Sequence, residues 1–153
     1  MLTYLCHCFQ CKGLTQQAVE RELQMQGFSI QIEPRFYETD ALGHINNAAI
    51  AAWMEVVRMQ FIESVMGADS IQAQNWILAS LQIDFVAETF FGAQVTARVT
   101  EAMLGNTSLT VLCELSQRAK LTVKCKAVLV FMDAQTRKPA PLPEVLRQRL
   151  AKG

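Results

Sequence analysis

No surplus of charge marks this sequence. Its 153 residues carry 14 Lys plus Arg against 14 Asp plus Glu, a formal net charge of zero. That argues against a sequence-wide basic surface for nucleic acid, which needs a clear cationic excess. Also missing is any apolar run close to the roughly 20 residues of a membrane-spanning helix. Met1 to Phe9 is only mildly apolar, lacks a basic start and runs into Gln10, Cys11 and Lys12, so no secretory leader is expected. There is no internal repeat and no low-complexity segment. The five cysteines are an odd number. Cys6, Cys8 and Cys11 crowd the N-terminus, while Cys113 and Cys125 fall at apolar strand positions. The expectation is a reduced, cytoplasmic protein.

What is present is apolar pattern. Residues of the apolar types make up 51% of the chain, enough for a single domain of this length to bury a core without disulfide or metal. Residues 1–26 differ from the rest and read as an N-terminal extension, with a helix-compatible stretch from Leu14 to Met25 ended by Gly27. The remaining residues, 27–153, read as the domain proper. Phe28, Ile30 and Ile32 alternate with polar neighbours as a strand, which Pro34 interrupts and which is expected to resume through Phe36 and Tyr37. Ala48 to Met66 is expected to be a helix apolar around nearly its whole circumference, and so buried on most sides. Asn46 or Asn47 suits its N-cap and Gly67 its C-terminal stop.

Four further stretches alternate with period two: Ile77 to Phe85, Val95 to Val99, Leu109 to Leu115 and Leu121 to Phe131. Such alternation belongs to antiparallel strands with one face on a core. Gly105-Asn106 and the stretch around Arg118-Ala119-Lys120 mark turns, and Pro143 to Leu150 reads as a short terminal helix. One apolar helix and five strands imply an α+β fold in which the antiparallel sheet wraps around the helix.

Between the first strand and the helix lies Arg35-Phe36-Tyr37-Glu38-Thr39-Asp40-Ala41-Leu42-Gly43-His44-Ile45-Asn46-Asn47. The core pattern Asp-x-x-Gly-His-x-Asn-Asn ahead of a long helix resembles the hot-dog thioesterases of the 4-hydroxybenzoyl-CoA thioesterase-like group. Gly92 and the Asp133 to Pro139 run also look like that family. The resemblance implies the hot-dog fold, five antiparallel strands around one central helix. It also implies homodimers joined into a continuous sheet, often paired again as homotetramers, with active sites at the dimer interface. It places the catalytic acid on Asp40 and the carbonyl-polarising backbone N–H at or next to Asn47. The implied substrate is an aryl- or fatty-acyl thioester of CoA, or of an acyl-carrier protein.

Chemistry supports that arrangement. Thioester hydrolysis develops negative charge on the carbonyl oxygen, and a helix N-terminus offers unpaired N–H groups and a positive dipole end. A carboxylate on the other side of the carbonyl activates water or attacks directly. His44 is the candidate for a loop-orienting, substrate-contacting or proton-transferring role, as in plant acyl-carrier thioesterases with a similar run, although Leu42 stands where those have Asn. Gly43, Asn46 and Trp53 are the remaining candidates for the substrate site. Asp40 read alone is a turn cap, and Glu55 with Arg58 at i and i+3 is an ordinary ion pair before it is a second catalytic carboxylate. The spacing Cys6-His7-Cys8 and Cys11 is too crowded for a zinc site and has no second pair nearby, so neither metal nor cofactor is expected. The competing readings are a hot-dog hydratase or dehydratase and a non-catalytic acyl-thioester-binding protein.

Overall fold

The computed structural model describes residues 27–67 and 75–151, and the account below concerns those residues. The N-terminal extension, with its expected helix and its Cys-rich stretch, lies outside them. Five strands are present: β1 (Ser29–Ile32), β2 (Trp76–Phe85), β3 (Val95–Leu104), β4 (Ser108–Gln117) and β5 (Lys120–Phe131). They form one antiparallel sheet in the order β1-β3-β4-β5-β2. The long helix α1 (Asn47–Met66) lies on one face, and a short helix α2 (Glu144–Ala151) closes the chain.

The alternation read from the sequence sets the core. Val95, Ala97 and Val99 of β3, Leu109, Val111, Cys113 and Leu115 of β4, and Val123, Cys125, Ala127 and Leu129 of β5 are all buried. Against them α1 turns Ile50, Trp53, Met54, Val57, Phe61, Ile62 and Met66. This is the i, i+3, i+4 stripe of a helix on a sheet. Each fully enclosed aliphatic side chain here contributes about 1.5–3 kcal/mol. Asn46 caps α1, its Oδ1 accepting the Ala48 N–H at 2.8 Å, and Gly67 ends it at a φ of 88° that favours glycine.

Three expectations need correction. Phe36 and Tyr37 do not continue β1. They belong to a 3₁₀ turn, Phe36–Glu38, in which the Glu38 carboxylate accepts the Arg35 N–H at 2.7 Å. Pro34 has no N–H for the sheet, and the chain bends there into local hydrogen bonds instead. Secondly, α1 is not covered all round. Glu55, Val56, Gln60 and Glu63 are exposed, because a single five-stranded sheet reaches only one side of the helix. Thirdly, β2 meets the core over only part of its length, through Trp76, Leu81 and Ile83. It is an edge strand, and Ile77, Leu78 and Phe85 lie open in the isolated chain.

Candidate active site

The loop from Thr39 to Asn46 is built by its own polar groups. Asp40 Oδ1 accepts the backbone N–H of Leu42 at 2.8 Å and of His44 at 3.0 Å. The Asp40 N–H returns to the His44 carbonyl at 2.8 Å, and the Gly43 N–H to the Asp40 carbonyl at 3.1 Å. Gly43 sits at φ 81°, a conformation that costs an L-residue strain. The turn-capping role of Asp40 is therefore real. It occupies one carboxylate oxygen and leaves Oδ2 without a partner among the described residues.

The start of α1 follows directly. A helix leaves its first N–H groups without intrahelical acceptors. Here the Asn46 N–H goes to the Glu38 carbonyl at 2.7 Å, and the Ala48 N–H goes to the Asn46 side chain. No acceptor among the described residues takes the N–H of Asn47 or of Ala49. Half-buried Asp40 and His44 and the exposed Asn47 line one pocket of ≈ 260 Å³ with Ile45 and Ile50. The carboxylate thus faces the same space as the positive end of the helix dipole.

The far wall comes from Phe85, the last residue of β2, and from the connection after it, Val86 to Thr89. Sequence reasoning missed Val86 to Thr89 as part of the site. Val86 and Ala87 donate their N–H groups to the Thr122 carbonyl, and the Thr89 carbonyl accepts the Ile45 N–H at 2.8 Å. Further along, the buried Gln117 side chain accepts the Phe90 N–H at 3.0 Å and donates to the carbonyls of Phe90 and Ala93 at 2.7 and 2.8 Å. Thr89 Oγ1 is enclosed beside the pocket without a partner among the described residues. None of these residues stands in a local motif. Only the distance in sequence hides them, since each contact spans strands.

The other candidates separate. Gly43 and Asn46 shape the loop and cap, while Trp53 turns away. Its indole donates to Glu38 Oε1 at 3.1 Å, and it lines a different groove, between β1 and α1, of ≈ 550 Å³. Glu55 is exposed and lies 3.6 Å from the buried Arg58, the plain ion pair, and does not line the Asp40 pocket. On β5, Lys124 is flanked in register by Glu114 of β4 and Asp84 of β2, an ordinary mixed-charge surface. Among the described residues no group of three or more His, Cys, Asp or Glu side chains is placed to hold a metal ion.

With that geometry in place, comparison with known proteins decides the family: residues 34–150 match the profile of the thioesterase-like superfamily. The chain belongs to that superfamily. A Bacillus stearothermophilus protein described as a predicted thioesterase shares 31% identity, covering 82% of this chain and 94% of its own, with a TM-score of 0.74. A Thermus thermophilus thioesterase, solved with coenzyme A and Zn, shares 27% identity over 82% of this chain and 98% of its own, with a TM-score of 0.73. A curated Bacillus subtilis (strain 168) protein called YsmA, itself uncharacterised, is 26% identical over 83 residues, and the match spans 56% of its length. The five antiparallel strands and long helix of this thioesterase-like chain are the hot-dog fold that its sequence led one to expect. No helix among its described residues is long and apolar enough to cross a membrane.

Proposed function

We propose that this chain is an acyl-CoA thioesterase that releases the free acid and CoA from an aryl- or fatty-acyl thioester. The single observation that carries the reading is the shared pocket of Asp40 and the unpaired Asn47 N–H at the start of α1. A carbonyl placed there receives the N–H groups and the helix dipole on its oxygen. Donors of this kind are worth about 3–4 kcal/mol each to a developing oxyanion. The free oxygen of Asp40 acts on the acyl carbon, by drawing a proton from water as the water attacks or by attacking itself. In either route the carbon–sulfur bond breaks and sulfur departs as a thiolate. The CoA portion of the substrate is supported by the coenzyme A complex of the Thermus relative.

The working unit in this reading is a homodimer. Among the described residues β2 presents an unpaired edge, where Ile77 and Phe85 are 42% and 46% exposed and Val86, just after the strand, 51%, and Phe85 and Val86 also line the Asp40 pocket. An open apolar edge of this kind invites another strand. Pairing two β2 edges would continue the sheet and complete the pocket wall from the second copy.

The test is direct. Purified chain is offered a panel of aryl-CoA, fatty acyl-CoA and acyl-carrier-protein thioesters, with a thiol-detecting reagent as readout. Turnover of a CoA ester supports the reading. Binding without thiol release across the panel contradicts it in favour of a sensor.

A further inference from the structure

A cation lies where α1 meets the sheet. Among the buried residues of α1, Arg58 is the one charged side chain, and it is 4% exposed. Its Nη1 is enclosed and meets no hydrogen-bond acceptor among the described residues. Nη2 lies 3.6 Å from Glu55 Oε2, beyond hydrogen-bond length, and the Glu55 side chain is 68% exposed. Across the helix face are the buried thiols of Cys113 and Cys125, whose ionisation the guanidinium favours. A thiol is a weak acceptor and brings no charge at neutral pH. Enclosing a cation without a full counter-ion is unfavourable compared with an apolar residue of the same volume. Packing alone therefore gives no reason for an arginine here.

Its place on the helix gives one. Asn47, Ala51, Met54 and Arg58 follow at i, i+4, i+7 and i+11, so they share one stripe of α1. The stripe begins at the unpaired Asn47 N–H in the Asp40 pocket. It lies on a different side of the helix from Ala52, Trp53, Val56 and Gln60, which line the groove beside β1. On the sheet opposite, Phe85 lines the pocket, and Ile83, two residues further in, is the register partner of Cys125. At the rise of an α-helix the Arg58 Cα lies about 16 Å beyond that of Asn47. Helix side chains lean toward the N-terminus, and the approach of Nη2 to Glu55 shows that this one does, which brings the guanidinium to about 11 Å from the mouth.

We propose that Arg58 is a specificity-determining residue whose Nη1 receives a carboxylate at the far end of the acyl group. The substrate class is then the CoA monothioester of a medium-length dicarboxylic acid. This rests on the thioesterase reading and names the acyl group that the reading leaves open. A carboxylate supplies both the acceptor and the charge that the two thiols lack, and it matches the planar fork of a guanidinium. A methyl end leaves the cation as it stands. With C–C bonds of about 1.5 Å, a chain of roughly six to eight carbons spans the interval between the carbonyl at the mouth and Arg58. The acyl chain runs between α1 and β2, where Leu81 and Ile83 are only partly buried. It passes Met54, whose unbranched side chain adapts to a neighbour.

The test sets octanedioyl-CoA against octanoyl-CoA, and hexanedioyl-CoA against hexanoyl-CoA. Titration calorimetry on Asp40→Asn reads binding without turnover, and thiol release by the parent reads kcat/KM. In at least one pair the dicarboxylic ester is expected to bind more tightly and to be cleaved with higher kcat/KM, by roughly tenfold to a hundredfold, as for hydrogen bonds to a charged group. Arg58→Met and Arg58→Gln abolish that preference and handle the monocarboxylic esters as the parent does. Arg58→Met keeps or raises Tm, since an apolar residue of similar volume replaces an uncompensated buried charge. Equal binding of both members of each pair by the Arg58 chain overturns the proposal, whether or not the variants fold. A preference that survives in Arg58→Met or Arg58→Gln overturns it too. So does a parent without preference whose Arg58→Met variant sediments as a single chain, which assigns the guanidinium to a second copy. If no thioester is cleaved, the hydrolase reading fails, while calorimetry still decides what Arg58 receives.

Discussion

The carboxylate of Asp40 accepts the backbone N–H of His44 at 3.0 Å, across the turn that delivers the chain into α1. One residue therefore serves both the shape of the loop and the face of the pocket. The bond sets the distance between the acid and the helix start within a handful of residues, so the relation survives in any chain that keeps this loop. The functional reading has consequences at the cap, at a turn, in the core and at the open edge.

Asn46 holds one of the first N–H groups of α1 and so leaves Asn47 to the pocket. Asn46→Ala is expected to lower unfolding free energy by about 1 kcal/mol in urea titration, and Asn46→Asp to keep most of it. Equal losses in the two variants would remove the cap from the account.

The β4–β5 turn carries Arg118 and Ala119 at φ 52° and 62°, both left-handed, between the register pair Gln117 and Lys120. Two-residue hairpins of this kind favour glycine or asparagine. Ala119→Gly therefore stabilises the chain by roughly 0.5–1 kcal/mol, relief of strain outweighing the added freedom of the unfolded chain. A lowered Tm would contradict this.

Burial pushes the Cys113 thiol up to about 12 and the Cys125 thiol up to about 11. The neighbouring Cys125 adds to the shift of Cys113, and Arg58 opposes both. Unfolded thiols ionise near about 8.5. Above that pH the unfolded chain loses these protons before the folded one does, so stability present below it is lost as pH rises toward the folded values. Urea titrations at successive pH values from neutral upward should show a steeper fall for the parent than for a Cys113→Ala/Cys125→Ala double variant. Parallel curves would show that the thiols do not carry the effect.

Ile77→Lys combined with Leu78→Lys places two charges on the open β2 edge. Sedimentation should then give the mass of one chain where the parent gives two, with thiol release reduced in step. A parent that sediments as a single chain, or a variant that keeps the mass of two, contradicts dimer formation through β2.

The elements most legible in the sequence are those whose signals are local. Asp40 to Asn47 is a contiguous loop with its own hydrogen bonds, and the stripe from Ile50 to Met66 shows its period within one helix. The inward residues of β4 and β5 alternate in the same way. Glu88, Thr89 and Gln117 carry no such signal. Their place in the site depends on β2, β3 and β4 arriving beside the loop, and Gln117 reaches Phe90 across 27 positions. β2 itself misleads for the same reason. Its apolar alternation looks like burial in a core, yet in the isolated chain its residues lie at an edge. Trp53 is buried as its type suggests, but its indole partner, Glu38, directs it to the groove beside β1.

The most direct test exchanges one oxygen of Asp40 for nitrogen. Asp40→Asn keeps an acceptor for the Leu42 and His44 N–H groups, so the loop is preserved and circular dichroism and Tm should match the parent. Thiol release from the best acyl-CoA substrate should nevertheless fall at least about a hundredfold, with the loss in kcat. Turnover equal to that of the parent would place the chemistry somewhere other than the mouth of α1.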